Sequence, residues 1–427
     1  MTRHALLLCL LAALPLPDAR AEAPPLNSHW ESLHAGTRVA GLESRRFSAE
    51  QWWQLTLPGL TAERGFAVEQ IGHSAQGRPL RHVQWGNGPV HVLLWSQMHG
   101  DESTATMSLA DLLAWLGDAP EDPMVRQLGQ QLTLHLVPIL NPDGAARFER
   151  RNAQGIDINR DAAALATPEA RALKALRDRL QPAYGFNLHD QRPGYRAGNS
   201  DLPTAIALLA PPMDASRQVN DVRARAIGVA AHISTTLQPA LDGRLARWDD
   251  SFNPRAFGDL MQQWGTSTVL LEAGGIEGDV HKQQLRAHTF TAIVAGLQAI
   301  ADGSHARADT RAYTDLPENG VVWPDLLISG ATVHVPGNAP LRADVQVNFR
   351  HPLGFEQGRI SDIGDLAAQP ARHRIDARGL HLHPLADGQL RPDSPARFLL
   401  SADAAGGQVL WTLDGDLPLA QQPAVNH

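Results

Sequence analysis

Pro89-Val90-His91-Val92-Leu93-Leu94-Trp95-Ser96-Gln97-Met98-His99-Gly100-Asp101-Glu102 decides the fold. Pro89 to Trp95 is a short apolar run with β-branched members, the pattern of a buried strand. It stops at a polar His-Gly-Asp-Glu turn, and a helical stretch follows from Thr104 to Leu116. Strand, polar turn and helix are the repeating unit of an α/β layer fold, in which chemistry collects at the carboxyl ends of the strands.

The same unit recurs outward along the chain. Gln131 to Ile139 reads as a second strand and runs into the turn Asn141-Pro142-Asp143-Gly144. Thr167-Pro168-Glu169 opens a helix, with an N-cap, a proline at the first helical position and an acid in the first turn. Ala183 to Leu188, Ile206 to Leu209 and Ser267 to Leu271 read as further strands, Asn220 to Leu237 and Gln284 to Ala301 as amphipathic helices. Residues 45 to 70 read as helix and turns, with Trp52, Trp53, Leu55 and Leu57 as packing residues. The expected fold is α/β, a mixed and mostly parallel sheet flanked by helices. From Asp325 onward short alternating runs replace this pattern and predict a small all-β domain.

The divisions expected are therefore 1–23, 24–302, 303–324 and 325–427. The first is a secretory signal peptide. Arg3 and His4 precede an apolar run from Ala5 to Leu14, too short to span a bilayer, and Ala19-Arg20-Ala21 offers a cleavage site. The second is the catalytic domain, the third a polar linker, the fourth the β domain. Export places the mature protein in the periplasm or outside the cell. Cys9, the only cysteine, lies inside the apolar run, so a mature chain would hold any metal by His and carboxylates. No later run has membrane-helix length, so the mature chain is not expected to span a membrane. The net charge of −8 over 427 residues argues against nucleic acid as a partner.

His99 and Glu102 sit three apart past one strand, and His189 ends another. Two imidazoles and one carboxylate make a catalytic zinc set with a position left for water. Glu272 ends a third strand, and a carboxylate beside such a site is the general base that hydrolysis needs. None of these residues is diagnostic alone; their order, each just past an apolar strand, carries the argument.

The segment Arg150-Arg151-Asn152-Ala153-Gln154-Gly155-Ile156-Asp157-Ile158-Asn159-Arg160-Asp161, taken with His99-Gly100-Asp101-Glu102 and Asn141 to Gly144, resembles the M14 family of zinc carboxypeptidases. Gly72 to Pro79 is similar to another segment of that family. The resemblance covers roughly residues 45 to 302. It implies that His99, Glu102 and His189 hold one Zn²⁺ and that Glu272 takes the water proton. It also implies that Arg150 stabilises the oxyanion and that Asp157 orients the first zinc histidine. Asn159 and Arg160 would grip the free C-terminal carboxylate of a peptide substrate, a task suited to the planar guanidinium fork. Arg151, beside Arg150, competes for the oxyanion role. Arg147 and Asp161 read as structural.

The family's mobile tyrosine has no counterpart here: no tyrosine occurs between Tyr195 and Tyr313. The segment from Asp325 to Gly379 resembles the small β-sandwich that flanks the barrel of metal-dependent amidohydrolases. There His381 and His383 read as alternating strand side chains rather than metal ligands. The expected function is an exported zinc metallocarboxypeptidase. A zinc amidase, deacylase or cell-wall peptide hydrolase of the same fold is the alternative within hydrolases. An inactive peptide-binding envelope protein is the alternative outside them.

Overall fold

Strands buried on both faces must be apolar along their whole length, whereas edge strands alternate. The computed structural model, which describes residues 28–417, follows that division. The expected leader and Cys9 lie outside the described residues. One sheet is built from β1 (Phe66–His73), β2 (Pro79–Trp85), β3 (Val90–Ser96), β4 (Leu132–Val137), β5 (Tyr184–Asp190), β6 (Ile206–Leu209), β7 (Leu245–Arg247) and β8 (Ser267–Ala273). Their spatial order is β1-β2-β4-β3-β5-β8-β6-β7. The centre, β4-β3-β5-β8, is parallel throughout. β1, β2 and β4 pair antiparallel on one side and β6 pairs antiparallel with β8 on the other. The expected mixed, mostly parallel sheet is borne out.

Every residue of β4, β5 and β8 is buried, while β1 alternates and is largely exposed. That difference explains what the sequence reading missed. β1 begins at Phe66, inside the stretch read as helix and turns, because a half-exposed edge strand lacks a continuous apolar run. The helix expected there is Ala49–Thr56, which buries Trp52 and Trp53. Helices Thr104–Asp118, Pro168–Leu180, Asp221–Leu237 and Gln283–Ala301 pack around the sheet. The capping read at Thr167 is present: its side chain accepts a hydrogen bond from the Ala170 amide, with Pro168 in the first turn.

Beyond residue 325 the chain forms β9 (Leu326–Val333), β10 (Leu341–His351), β11 (Glu356–Gly364), β12 (His373–Asp376), β13 (His381–Pro384), β14 (Arg397–Ser401) and β15 (Val409–Asp414). They hydrogen-bond as one seven-stranded sheet with its own apolar core, in which Val345, Val347, Phe349 and Phe398 are buried. The all-β expectation is borne out.

The stretch 303–324, expected as a polar linker, is exposed or half-buried except at one residue, which pins it to the first sheet. Tyr313 is 3% exposed within the core of the first sheet, and its hydroxyl accepts a hydrogen bond from the Ala210 amide at 2.9 Å. Its polar composition hid one aromatic anchor. Where the second sheet starts, buried Asp325 binds Arg372 at 3.0 Å, Arg192 at 3.3 Å and the Phe349 amide at 2.8 Å. Arg192 belongs to the loop after β5, so this carboxylate ties the two sheets together.

Candidate active site

The backbone turns of the first motif close because two glycines meet. A Cβ on Gly100 would stand 2.0 Å from the Gly144 carbonyl carbon, and one on Gly144 would stand 2.7 Å from the Glu149 oxygen. The His-Gly-Asp-Glu turn and the Asn-Pro-Asp-Gly turn are therefore one packing unit. Asn141 locks it: its side-chain oxygen accepts the Gly144 amide, and its amide group donates to the Met98 and Arg150 carbonyls. This brings the Arg150 segment beside His99.

The donor atoms of His99, Glu102 and His189 all lie within 4.8 Å of one another, and all three residues are buried. Glu102 lies between the two imidazoles, its Oε1 2.8 Å from His99 Nδ1 and its Oε2 2.7 Å from His189 Nδ1. Asp157 sits 2.9 Å from the other nitrogen of His99, which orients the ring so that Nδ1 faces the cluster. A cluster of two imidazoles and a carboxylate with inward-facing donors fits a divalent metal. Burial opposes charge on His99, but Glu102 and Asp157 outweigh it and push the imidazole up to about 9. Burial likewise opposes ionisation of Glu102, yet the two histidines hold its carboxyl well below the usual range.

β5 and β8 are in register with His189 opposite Glu272. That pairing puts Glu272 next to the cluster although 83 residues separate the two in sequence (272−189). Glu272 is 8% exposed, and no hydrogen bond holds its carboxylate among the described residues. Burial and the nearby Glu102 raise its pKa well above the ordinary value. An unpaired, proton-seeking carboxylate beside a metal-type cluster is equipped for general-base work.

Of the two adjacent arginines, Arg150 faces the site. Its Nη1 donates to Glu102 at 3.0 Å, and its Nε and Nη2 donate to Asp157. Arg151 is exposed and donates to the Gly155 carbonyl. Asn159 is buried, with its oxygen accepting the Phe257 amide at 2.9 Å and its amide nitrogen 3.4 Å from His189 Nε2. Arg160 lines the cleft and donates to the Asn159 carbonyl, leaving most of its fork open. Asp161 does what a structural acid does: it accepts from the Ala166 and Thr167 amides and the Thr167 hydroxyl. Seven of the eight site residues named from the sequence line one cleft of about 830 Å³, and the eighth, Asp157, stands behind it, bonded to His99 and Arg150.

Several cleft residues were not foreseen. Lys282 is 1% exposed and donates to Asp190 at 2.9 Å and to the Ala273 carbonyl, bracing β5 and β8 just past His189 and Glu272. Only the adjacency of Asp190 to His189 could have signalled it. Tyr195 and Trp248 line the cleft with ring centroids 5.3 Å apart. Tyr195 closes the tyrosine-free interval noted in the sequence, so a phenol does reach this cleft from a different loop. His381 and His383 lie on β13 in the second sheet, outside the cleft. His334 joins them there, 2.9 Å from His381 Nδ1.

Residues 61–177 match the family described as zinc carboxypeptidase. Carboxypeptidase SOL1 of Arabidopsis thaliana is 33% identical over 98 residues, 21% of this chain and 20% of its own length. Carboxypeptidase 2 of Trichophyton rubrum is 26% identical over 161 residues, 38% of this chain and 29% of its own. The chain spans under a third of the length of these curated relatives. A solved metallo-carboxypeptidase from Burkholderia cenocepacia aligns over 61% of this chain and 71% of its own, at 20% identity and a TM-score of 0.49.

Proposed function

We propose that this chain, a zinc carboxypeptidase family member over residues 61–177, is an exported metallocarboxypeptidase that hydrolyses the C-terminal peptide bond of peptides. The observation that carries the reading is the convergence of one metal-type cluster, one unpaired buried carboxylate and, among the cleft's arginines, Arg150 and Arg160. The leader-like residues 1–23 support export to the periplasm or beyond. Among the described residues no helix is long and apolar enough to cross a membrane.

His99, Glu102 and His189 would hold a single zinc ion. Bound there, zinc supplies a water with a pKa near roughly 7 and polarises a carbonyl oxygen. Asp157 keeps the His99 ring turned to the cluster by accepting its Nε2 proton. Glu272 accepts the proton of the attacking water on its carboxylate, then delivers it to the departing amine. Its raised proton affinity suits both transfers better than that of an ordinary exposed carboxylate. Arg150, held by Asp157 and Glu102, presents a fixed positive charge to the developing oxyanion. Arg160, with Asn159 beside it, receives the free carboxylate of the last residue and so sets the bond to be cut one residue from the end.

The test is a set of paired peptides, identical except that one of each pair carries a C-terminal amide. Zinc-loaded protein is expected to release the last residue of the free acid only. Equal cleavage of both forms, read by mass spectrometry, would move the reading to an amidase or an endopeptidase.

A further inference from the structure

Part of the cleft wall comes from the second sheet. Arg350 and His351 at the end of β10, with Pro352 and Leu353 in the turn to β11, line the catalytic cleft. Leu353 is 6% exposed, yet it belongs to none of the apolar clusters among the described residues. It is buried against the cleft rather than within a core.

The turn is gripped at a definite place. The His351 ring lies 5.3 Å from Phe148, and the guanidinium groups of Arg45 and Arg46 stand 5.0 and 4.8 Å from the same ring. Arg46 also pairs with Glu356 at the start of β11, and Arg350 reaches Glu149 at 3.3 Å. Phe148 and Glu149 immediately precede Arg150. The turn therefore packs on the segment that carries the oxyanion arginine. Asn159, by contrast, makes its side-chain contacts with Phe257 and His189. With the terminal carboxylate at Asn159 and Arg160 and the scissile carbonyl at Arg150, the rest of the peptide must leave on the Arg150 side, where the turn stands.

We propose that the β10–β11 turn is the wall of the cleft on the acyl side of the scissile bond, with Leu353 and Arg350 as specificity-determining residues that meet the peptide residues preceding it. This rests on the carboxypeptidase reading above. The second sheet is then a working part of the active site. It selects what lies upstream of the bond, while the first sheet selects the residue released.

Two peptide series test this with full-length, zinc-loaded protein. One series varies the residue before the scissile bond among Gly, Leu, Trp, Glu and Lys with a constant C-terminal residue. The other varies the C-terminal residue alone. Leu353→Ala and Leu353→Trp should change the kcat/KM ratio of bulky to small preceding residues by about tenfold, in opposite directions, the scale of pocket discrimination by size. Arg350→Gln, at an exposed position that does not endanger folding, should lower the ratio of Glu to Lys at that position. All three should leave the ranking over C-terminal residues as in the wild type, with thermal unfolding confirming intact protein. Unchanged preceding-residue profiles in all three variants overturn the wall while the carboxypeptidase reading stands. A changed ranking over C-terminal residues also overturns it, by placing the turn on the released side. Failure of the wild type to cleave any of these peptides overturns the carboxypeptidase reading and this proposal with it.

Discussion

The first sheet carries two histidine clusters, and they are opposites. At the carboxyl ends of β3 and β5, His99 and His189 turn their Nδ1 atoms toward one carboxylate, Glu102. Across β2, β4 and β3, His82, His135 and His91 stack at 5.1 Å between successive centroids and hydrogen-bond in line. The line runs from Glu69 to His82 Nδ1 at 2.8 Å, from His82 Nε2 to His135 Nδ1 at 3.0 Å, and from His135 Nε2 to His91 Nδ1 at 2.9 Å. One neutral arrangement satisfies every bond: each Nδ1–H donates toward Glu69 and each Nε2 accepts. Convergent donors leave a point where an ion can sit, whereas a line of imidazoles consumes its own donors and leaves none. Their protonation differs accordingly. Burial, with His82 and His91 adding to it, pushes His135 down to about 3, whereas Glu102 and Asp157 pull His99 up to about 9 against its burial. The same residue type serves chemistry or packing according to whether its neighbours are carboxylates or other imidazoles.

The sharpest way to break this contrast is to remove one histidine from each cluster. His189→Ala should abolish zinc retention after dialysis and, with it, detectable hydrolysis. His135→Leu should keep stoichiometric zinc by metal analysis. It would cost stability of roughly 1–3 kcal/mol, because a buried nitrogen of His82 and a half-buried one of His91 lose their partner. Zinc loss in His135→Leu, or zinc kept in His189→Ala, would erase the distinction.

Next in size is Glu272→Gln. The variant should bind zinc as the wild type does and lose roughly 10²–10⁴-fold in kcat, since a carboxamide cannot accept the water proton. Near-normal turnover in metal-replete variant would remove Glu272 from the convergent site.

A smaller effect is expected from Arg160→Ala, about ten- to a hundredfold in kcat/KM on free-acid peptides. That corresponds to the roughly 1.5–3 kcal/mol of a charge-assisted hydrogen bond. Amidating the substrate should not add to the loss, because both changes remove the same contact. Additive losses would mean that Arg160 acts elsewhere.

The smallest effect is a pair of opposite pH slopes in metal-free protein. His135 has a folded pKa below the unfolded value of about 6.5. Its contribution is intact above that pH and is lost as pH falls from about 6.5 toward 3, because only the unfolded chain takes the proton. His99 has a folded pKa above it, so its contribution is present below about 6.5 and is lost as pH rises toward 9. Denaturation midpoints across pH should show a shallower acid-side slope in His135→Leu, where His288, His351 and His373 still contribute, and a shallower alkaline-side slope in His99→Gln. A slope on the same side for both would contradict the assignment.

Much of this protein is determined by local chemistry that any reader of the chain can follow. Largely buried parallel strands are mostly apolar, so β3, β4, β5 and β8 were legible, and so were the polar residues that follow or end them. His99, Glu102, His189 and Glu272 could be named because ligand and base chemistry admits few residue types at strand ends, and Arg150, Asp157, Asn159 and Arg160 because their segment resembles the zinc carboxypeptidase family. Edge strand β1 was not legible, since half-exposed strands carry no unbroken apolar run, and Tyr313 was hidden in a polar stretch. What only the tertiary structure decided was direction and distance. The β5–β8 register sets Glu272 beside His189, packing of Gly100 on Gly144 brings Arg150 rather than Arg151 to the cluster, and Lys282 and Tyr195 reach the cleft from elsewhere in the chain. The turn at Leu353 lies 81 residues beyond Glu272 (353−272), in a sheet with its own core, and no local pattern announces that it faces a cleft in the other. Propensity and patterning act over a few residues along the chain, whereas a cleft wall is made by groups that meet only after both sheets have packed.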